Sequence, residues 1–435
     1  MKKYLLILAS VLAIMAVSCE KEKEQPCEIK VQLTVDGQPF AQEGVTITVS
    51  DGTSSFDAVT IQDGSASFKV VVGAYTASAS FKKSEAGMAY NYNGTASITV
   101  AKDAENAFAL PLTPSKSSQL IIKEVYNGGC MDNEGSKNYQ YDKYIIIYNN
   151  SDIEVDASKM CIAMAQIANT ASTNKYAGAD GKNTYEAEGW TPASYGIWWF
   201  QDGVQVKIAP YGQIVVAVNG AIDHTATYTN SVNLSKADYV MYDKEAGFNL
   251  AAAYPAPSAD IPANHQMKTL EFGMGTAWPL PIITAAPFII MPGSDIKAFL
   301  NVATNFDNKA TNNSGNFAKI PTEWVLDALD IWSAADETKF FSRFPAAVNT
   351  GYQVLTNKLG YTTYRNVDKA ATEAIAENEG KLVYNYAGAV DNEKDGDPSG
   401  IDAEASIANG AKIVYMDTNN SANDFHQRKV ASLKK

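Results

Sequence analysis

Apolar residues first recur at every second position. Ile29, Val31, Leu33 and Val35 alternate with Lys30, Gln32 and Thr34, the spacing of a strand with one buried face. Asp36-Gly37 then predicts a tight turn. Val45, Ile47 and Val49 repeat the alternation and stop at Asp51-Gly52. Asp63-Gly64 precedes Ala66, Phe68 and Val70, Gly73 precedes Tyr75, and Ile98 and Val100 continue the series. Turn signals spaced about eight to twelve residues apart predict a β-sandwich over residues 28–113. Beyond it the alternation gives way to unbroken apolar runs. Leu120-Ile121-Ile122 and Tyr144 to Tyr148, the latter closed by Asn149-Asn150, predict strands buried on both faces. The Pro/Ser/Thr-rich stretch Pro111–Ser118 lies between the two patterns and reads as linker, with 114–119 joining the domains.

Two stretches break up the second domain, residues 120–435. Asn169–Trp199 is rich in Tyr, Gly, Asn and Trp, and Ala251–Gly293 is rich in Pro and carries Trp278. Both read as insertions. Pro321–Trp332 fits two periods: Trp324, Ala328 and Trp332 make a helix face, while Val325, Leu329 and Ile331 make a strand face. Thr372–Glu379 predicts a turn or two of helix. The fold class predicted is all-β: two β-sandwich domains, the second with long insertions and minor helix.

The chain opens differently. Lys2 and Lys3 precede an apolar run from Tyr4 to Val17, too short for a transmembrane helix of roughly 18 or more residues and suited to a signal peptide. It ends Ala16-Val17-Ser18-Cys19, which resembles the bacterial lipobox, with Ala16 where leucine is usual. The resemblance implies a signal peptide over 1–18 and a lipidated Cys19. Each buried acyl methylene adds about 0.8 kcal/mol to membrane attachment. The polar tract Glu20 to Pro26 cannot pack, so 19–27 reads as a flexible tether. Its acidic character resembles the signal that sends Bacteroidota-type lipoproteins to the cell exterior.

Other resemblances follow from particular motifs. Gly44-Val45-Thr46-Ile47-Thr48-Val49, Asp63-Gly64-Ser65-Ala66-Ser67-Phe68 and Val72-Gly73-Ala74-Tyr75-Thr76 resemble a carboxypeptidase-regulatory or Ig-like module. Such modules act as spacers and binding platforms. Glu124-Val125-Tyr126, Tyr144 to Asn149, Ile208 to Ala217 and Lys412 to Phe425 resemble the lamin-tail domain, an Ig-like sandwich. Ile146 stands where that family usually has Glu, and Arg428 falls too late for its usual closing-strand Arg. The whole chain thus resembles an uncharacterised Bacteroidota-type lipoprotein family that elaborates this sandwich.

Charge and cysteine count narrow the partners. The net charge is −13, and losing Lys2 and Lys3 with the signal makes it more negative. An acidic surface argues against nucleic acid as a partner. Of four cysteines, Cys19 is set aside for lipid, leaving Cys27, Cys130 and Cys161. An odd count leaves at least one thiol free or bonded to another chain. Either Cys130 pairs with Cys161 or all three stay reduced.

Catalytic signatures are absent from the sequence. His224, His265 and His426 are isolated, without the spacing of a zinc site. There is no Gly-x-Ser-x-Gly, no Walker loop and no Gly-x-Gly-x-x-Gly after a strand. Asp391, Glu393, Asp395 and Asp402 occupy positions one, three, five and twelve of a loop with Gly396 at six. That spacing suits an oxygen-ligated calcium loop, although Pro398 replaces the usual aliphatic residue; no other cofactor is expected. The alternative is a solvated acidic turn. Tyr185, Trp190, Trp199 and Trp278 lie in or beside the insertions as candidate ligand-stacking rings. The competing reading alternates Trp198 and Phe200 into the core with Trp199 on the other side.

The sequence therefore predicts a non-enzymatic, lipid-anchored outer-membrane protein at the cell surface. It would bind a polysaccharide or protein, or accompany an outer-membrane nutrient transporter. A structural or adhesive spacer is the first alternative. A surface glycoside hydrolase is the second, since paired carboxylates leave no sequence spacing.

Overall fold

The period-two segment beginning at Ile29 forms the strand Cys27–Val35 in the computed structural model, with Ile29, Val31 and Leu33 buried and Glu28 and Lys30 exposed. Residues 25–86, 88–165, 174–179, 182–246, 254–270, 280–307, 317–391 and 396–434 are described. The chain divides into two compact units, one of residues up to Lys82 with Tyr90–Ser115, the other of Lys83–Ala89 with Lys116–Lys435.

In the first unit, Cys27–Val35 pairs antiparallel with Ser65–Val70, Ile29 opposite Phe68. It also pairs parallel with Ala107–Pro111. A five-stranded sheet runs in the order Ser55–Val59, Thr46–Ser50, Gly73–Glu85, Met88–Val100, Thr113–Ser118. Thr113–Ser118, read as linker in the sequence, is thus a strand. The inward residues of both sheets, Val31 and Phe68 from one and Ile47 and Ala77 from the other, join in one core. The Asp36-Gly37 turn takes positive φ at both residues, 50° and 75°, as a two-residue hairpin requires.

The second unit is built on two larger sheets. One orders Tyr239–Val240, Gln213–Ala217, Tyr144–Asn149, Leu120–Tyr126, Thr362–Arg365 and Phe425–Arg428. The other, of seven strands, centres on Trp190–Trp199, Cys161–Met164, Pro287–Ile290 and Val325–Ala328. Ile122, Ile145 and Ile147 from the first sheet and Ile162, Trp198 and Leu326 from the second share one core. Each sheet is covered on its other face as well. Ile121 and Tyr148 pack with Tyr364, Ile413 and Tyr415. Cys161, Phe288 and Ile290 pack with Ile296, Leu300 and Phe344. Every residue of Leu120–Tyr126 and Tyr144–Asn149 is consequently buried, which explains their unbroken apolar sequence.

The ambiguous stretch after Pro321 resolves into a 3-10 turn, Thr322–Trp324, and strands Val325–Ala328 and Ile331–Ser333. Pairing with Pro287–Ile290 and Gln353–Leu355 outweighs the helical spacing. Lys369–Glu373 and Ala376–Asn378 supply the short helical turns expected nearby. The fold is all-β with short helices, and no described helix is long and apolar enough to cross a membrane.

Candidate functional site

Trp190–Trp199 is not an insertion loop but a ten-residue strand that pairs with Phe317–Pro321 at one end and Cys161–Met164 at the other. Its alternation decides the fate of the predicted aromatics. Trp198 and, just beyond the strand, Phe200 point into the core. Trp199 packs half-buried against the other side. Trp190 and Tyr185 are buried in a small cluster with Tyr176 and Phe317. The Tyr185 hydroxyl donates to the Arg343 carbonyl at 2.8 Å, and Trp190 Nε1 donates to Glu188 at 2.8 Å. Both rings are satisfied packing residues, closed to stacking from solvent. Trp278 lies outside the described residues.

Trp199 lines a groove of about 620 Å³ on the second unit. The Gln201–Gln205 turn and the Pro292–Lys297 segment form its rims. Asp202 pairs with Lys297 at 2.6 Å across it. Asp295 caps the helix Ile296–Leu300 by accepting from Ala298 N at 2.8 Å. Asp156 accepts from Ser158 N at 2.9 Å, and its hydrogen bonds with Ser158 hold it below the usual carboxylate range. The half-buried Trp199 ring, bordered by carboxylates, ammonium groups and the Gln201 and Gln205 amides, can stack on a sugar ring while these groups exchange hydrogen bonds with its hydroxyls.

The predicted calcium loop divides. Glu393 and Asp395 lie outside the described residues, as does Cys19. Asp402 instead caps the helix Ala403–Ala408, accepting from Ala405 N at 3.0 Å. Among the described residues no three acidic, histidine or cysteine side chains converge as a metal site. Cys130 and Cys161 do not pair; each is a separately buried thiol. Burial, followed by the nearby Asp142 carboxylate, pushes Cys130 up to about 12.

Several buried polar hubs escaped the sequence reading. Asp142 accepts from Ser231 at 2.6 Å and Tyr126 at 3.1 Å, and burial raises its pKa. His224 stands nearby, but its Nδ1 is bonded to Tyr139 and its Nε2 to the Gly220 carbonyl. Burial lowers its pKa, and neither nitrogen is directed to Ser231 as a base would be. Lys123, 1% exposed, pairs with Glu404 at 2.7 Å and sits 5.5–5.9 Å from the ring centres of Tyr148, Tyr364 and Tyr415. Arg343 is locked to Asp330 and to the carbonyls of Thr284, Ala285 and Ile331. Arg365 is locked to Asp327 and the Ile122 carbonyl. Partners such as Lys123 with Glu404, Arg365 with Ile122 and Asp142 with Ser231 are far apart in sequence, so no local motif announces them.

Fold and groove define an all-β protein of two units whose larger unit presents an aromatic-lined polar groove. Residues 209–432 match the family described as "Protein of unknown function (DUF4876)", and the chain belongs to that family. A solved DUF4876 family protein from Bacteroides thetaiotaomicron is similar over 93% of this chain and 96% of its own, with TM-score 0.54 and 19% identity. That likeness establishes the shared all-β fold. A DUF3823 family protein from Parabacteroides merdae matches 44% of this chain and 80% of its own, with TM-score 0.18 and 13% identity. No curated protein matches.

Proposed function

We propose that the protein is a non-catalytic lipoprotein of the outer membrane, anchored through Cys19 and facing outward, whose second unit captures saccharide at the Trp199 groove. Delivery to an outer-membrane nutrient transporter is the natural extension of that reading. In it, the first unit is a carboxypeptidase-regulatory-like spacer and the second a lamin-tail-like sandwich carrying the groove. The observation behind capture is the half-buried Trp199 ring beside the Gln201, Gln205 and Asp202 side chains. A structural or adhesive spacer is the second reading, and the burial of Tyr185 and Trp190 favours it.

Affinity electrophoresis against a panel of plant and mucin polysaccharides separates the two. Capture predicts retardation by at least one polysaccharide. In Trp199→Ala the apparent affinity for it should fall at least tenfold, since aromatic stacking and burial at such a site supply about 1.5 kcal/mol or more. The melting temperature should stay within a few degrees. Equal retardation of wild type and variant, or none by any polymer, would sink the groove reading.

A further inference from the structure

A second cavity of about 630 Å³ opens on the larger unit, walled by the Thr225–Ala237 loop, Val215 and the Ser432–Lys434 segment. Its four hydroxyl-bearing residues share one feature. Thr225 Oγ1 donates to Asp223 at 2.5 Å, Ser231 Oγ to Asp142 at 2.6 Å and Thr229 Oγ1 to the Asn133 side-chain oxygen at 3.1 Å. Ser432 Oγ donates to Glu124. The Asn133 amide is oriented independently, because its oxygen also accepts from Thr229 N and its nitrogen donates to the Thr227 carbonyl.

A hydroxyl has one proton and two lone pairs. All four protons are committed to protein oxygens; Ser231 is buried in the wall, and Thr225, Thr229 and Ser432 can offer a ligand only acceptor oxygens. Donors come from elsewhere in the lining. Lys236 and Lys434 contribute ammonium groups, and Lys434 is steadied by donating to the Asn230 carbonyl at 3.0 Å. Asn233 contributes amide N–H, because its oxygen accepts from Ser235. Among the described residues no carboxylate lines the cavity, although the chain carries a net charge of −13. Asp142, Glu124 and Asp223 are spent on the wall hydroxyls, and Asp238 on Val215 N at 2.7 Å. Leu433 adds apolar surface, while Leu234 is buried in the wall.

We propose that this cavity binds an acidic sugar, a ring that carries hydroxyl donors and one carboxylate or phosphate group. The anion would face Lys236 and Lys434. The ring hydroxyls would donate to the Thr225, Thr229 and Ser432 oxygens, and a C–H face would lie on Leu433. The site is separate from the Trp199 groove, and neither reading depends on the other.

Isothermal titration of the full mature chain at low salt tests it, using galacturonate, glucose 6-phosphate, galactose and inorganic phosphate as probes. Galacturonate or glucose 6-phosphate should bind at least tenfold more tightly than galactose, and more tightly than inorganic phosphate. Lys236→Met with Lys434→Met should weaken that binding tenfold or more with an unchanged melting temperature. Thr225→Val with Thr229→Val should weaken it by removing acceptors, and Trp199→Ala should leave it intact. Absence of binding by both acidic sugars, equal binding of galactose, equal binding of inorganic phosphate, or indifference to the lysine pair overturns the proposal.

Discussion

Asp417 shares the guanidinium of Arg365 with Asp327 and Asp424, at 3.7 Å for Asp417 and 4.0 Å for Asp424. One cation cannot compensate three carboxylates, of which Asp327 and Asp424 are buried and Asp417 is partly buried. Burial, then the charge of Asp327, pushes Asp417 up to about 7. Its native pKa lies above the 3.8 of an unperturbed Asp, so the folded state holds this proton more tightly than the unfolded chain. The stability this provides is complete below pH 3.8 and is lost as pH rises through about 7. Asp417→Asn keeps the shape without the charge. Relative to wild type, its melting temperature should rise between pH 5 and pH 8; parallel melting curves across that range would refute the assignment. Arg343 and Asp330 show the balanced case. One guanidinium meets one carboxylate, three carbonyls and the Trp332 ring, 5.2 Å from its centre, which compensates much of the desolvation, although burial still raises the Asp330 pKa.

At the scale of elements, glycine separates turns that are open from turns that are closed. Gly129 has φ +70°, and a Cβ there would run into the Tyr139 carbonyl oxygen, across the hairpin of Cys130–Met131 and Asn138–Tyr139. Gly52 has φ +86° but open space around it. Gly52→Ala should cost about 1 kcal/mol for the backbone alone, and Gly129→Ala at least about 2 kcal/mol more through displaced pairing. Urea denaturation measures both; equal costs would mean that the hairpin yields freely. This is also the scale at which the sequence is most legible. The alternation around Ile29, Ile47 and Phe68 specified half-buried strands because period-two burial is local. The runs at Leu120 and Tyr144 specified doubly covered strands. The richness of Asn169–Trp199 in Tyr, Gly, Asn and Trp suggests an insertion loop, whereas long-range pairing of Trp190–Trp199 to Phe317–Pro321 makes its end a strand. The groove was legible only through Trp199. Its partners come from segments about ninety residues apart, such as Asp202 and Lys297, and the second cavity depends on hydrogen-bond direction, which no spacing encodes.

For the whole molecule, the decisive question is where it resides. A lipid on Cys19 predicts that Cys19→Ser moves the protein from the membrane fraction to the soluble fraction. A surface position predicts that a protease excluded by the outer membrane degrades the wild-type protein on intact cells. Its survival there, with degradation after lysis, would point to the periplasmic face.

The strand Leu120–Tyr126 has another consequence. It opens the larger unit, yet its neighbour Thr362–Arg365 emerges some 240 residues later, and the next strand, Phe425–Arg428, later still. Loop closure over such spans makes assembly slow. An exported chain would therefore carry Tyr148 without its cover until Tyr364, Ile413 and Tyr415 emerge, even with Tyr144–Asn149 already paired to Leu120–Tyr126 and Gln213–Ala217. Tyr144-Ile145-Ile146-Ile147-Tyr148 has the composition of an aggregation nucleus. Asp142 and Lys143 immediately before it are the charged gatekeepers such a segment needs. Both end up fully buried: charges that flank the apolar segment in the nascent chain become, after folding, part of the interior.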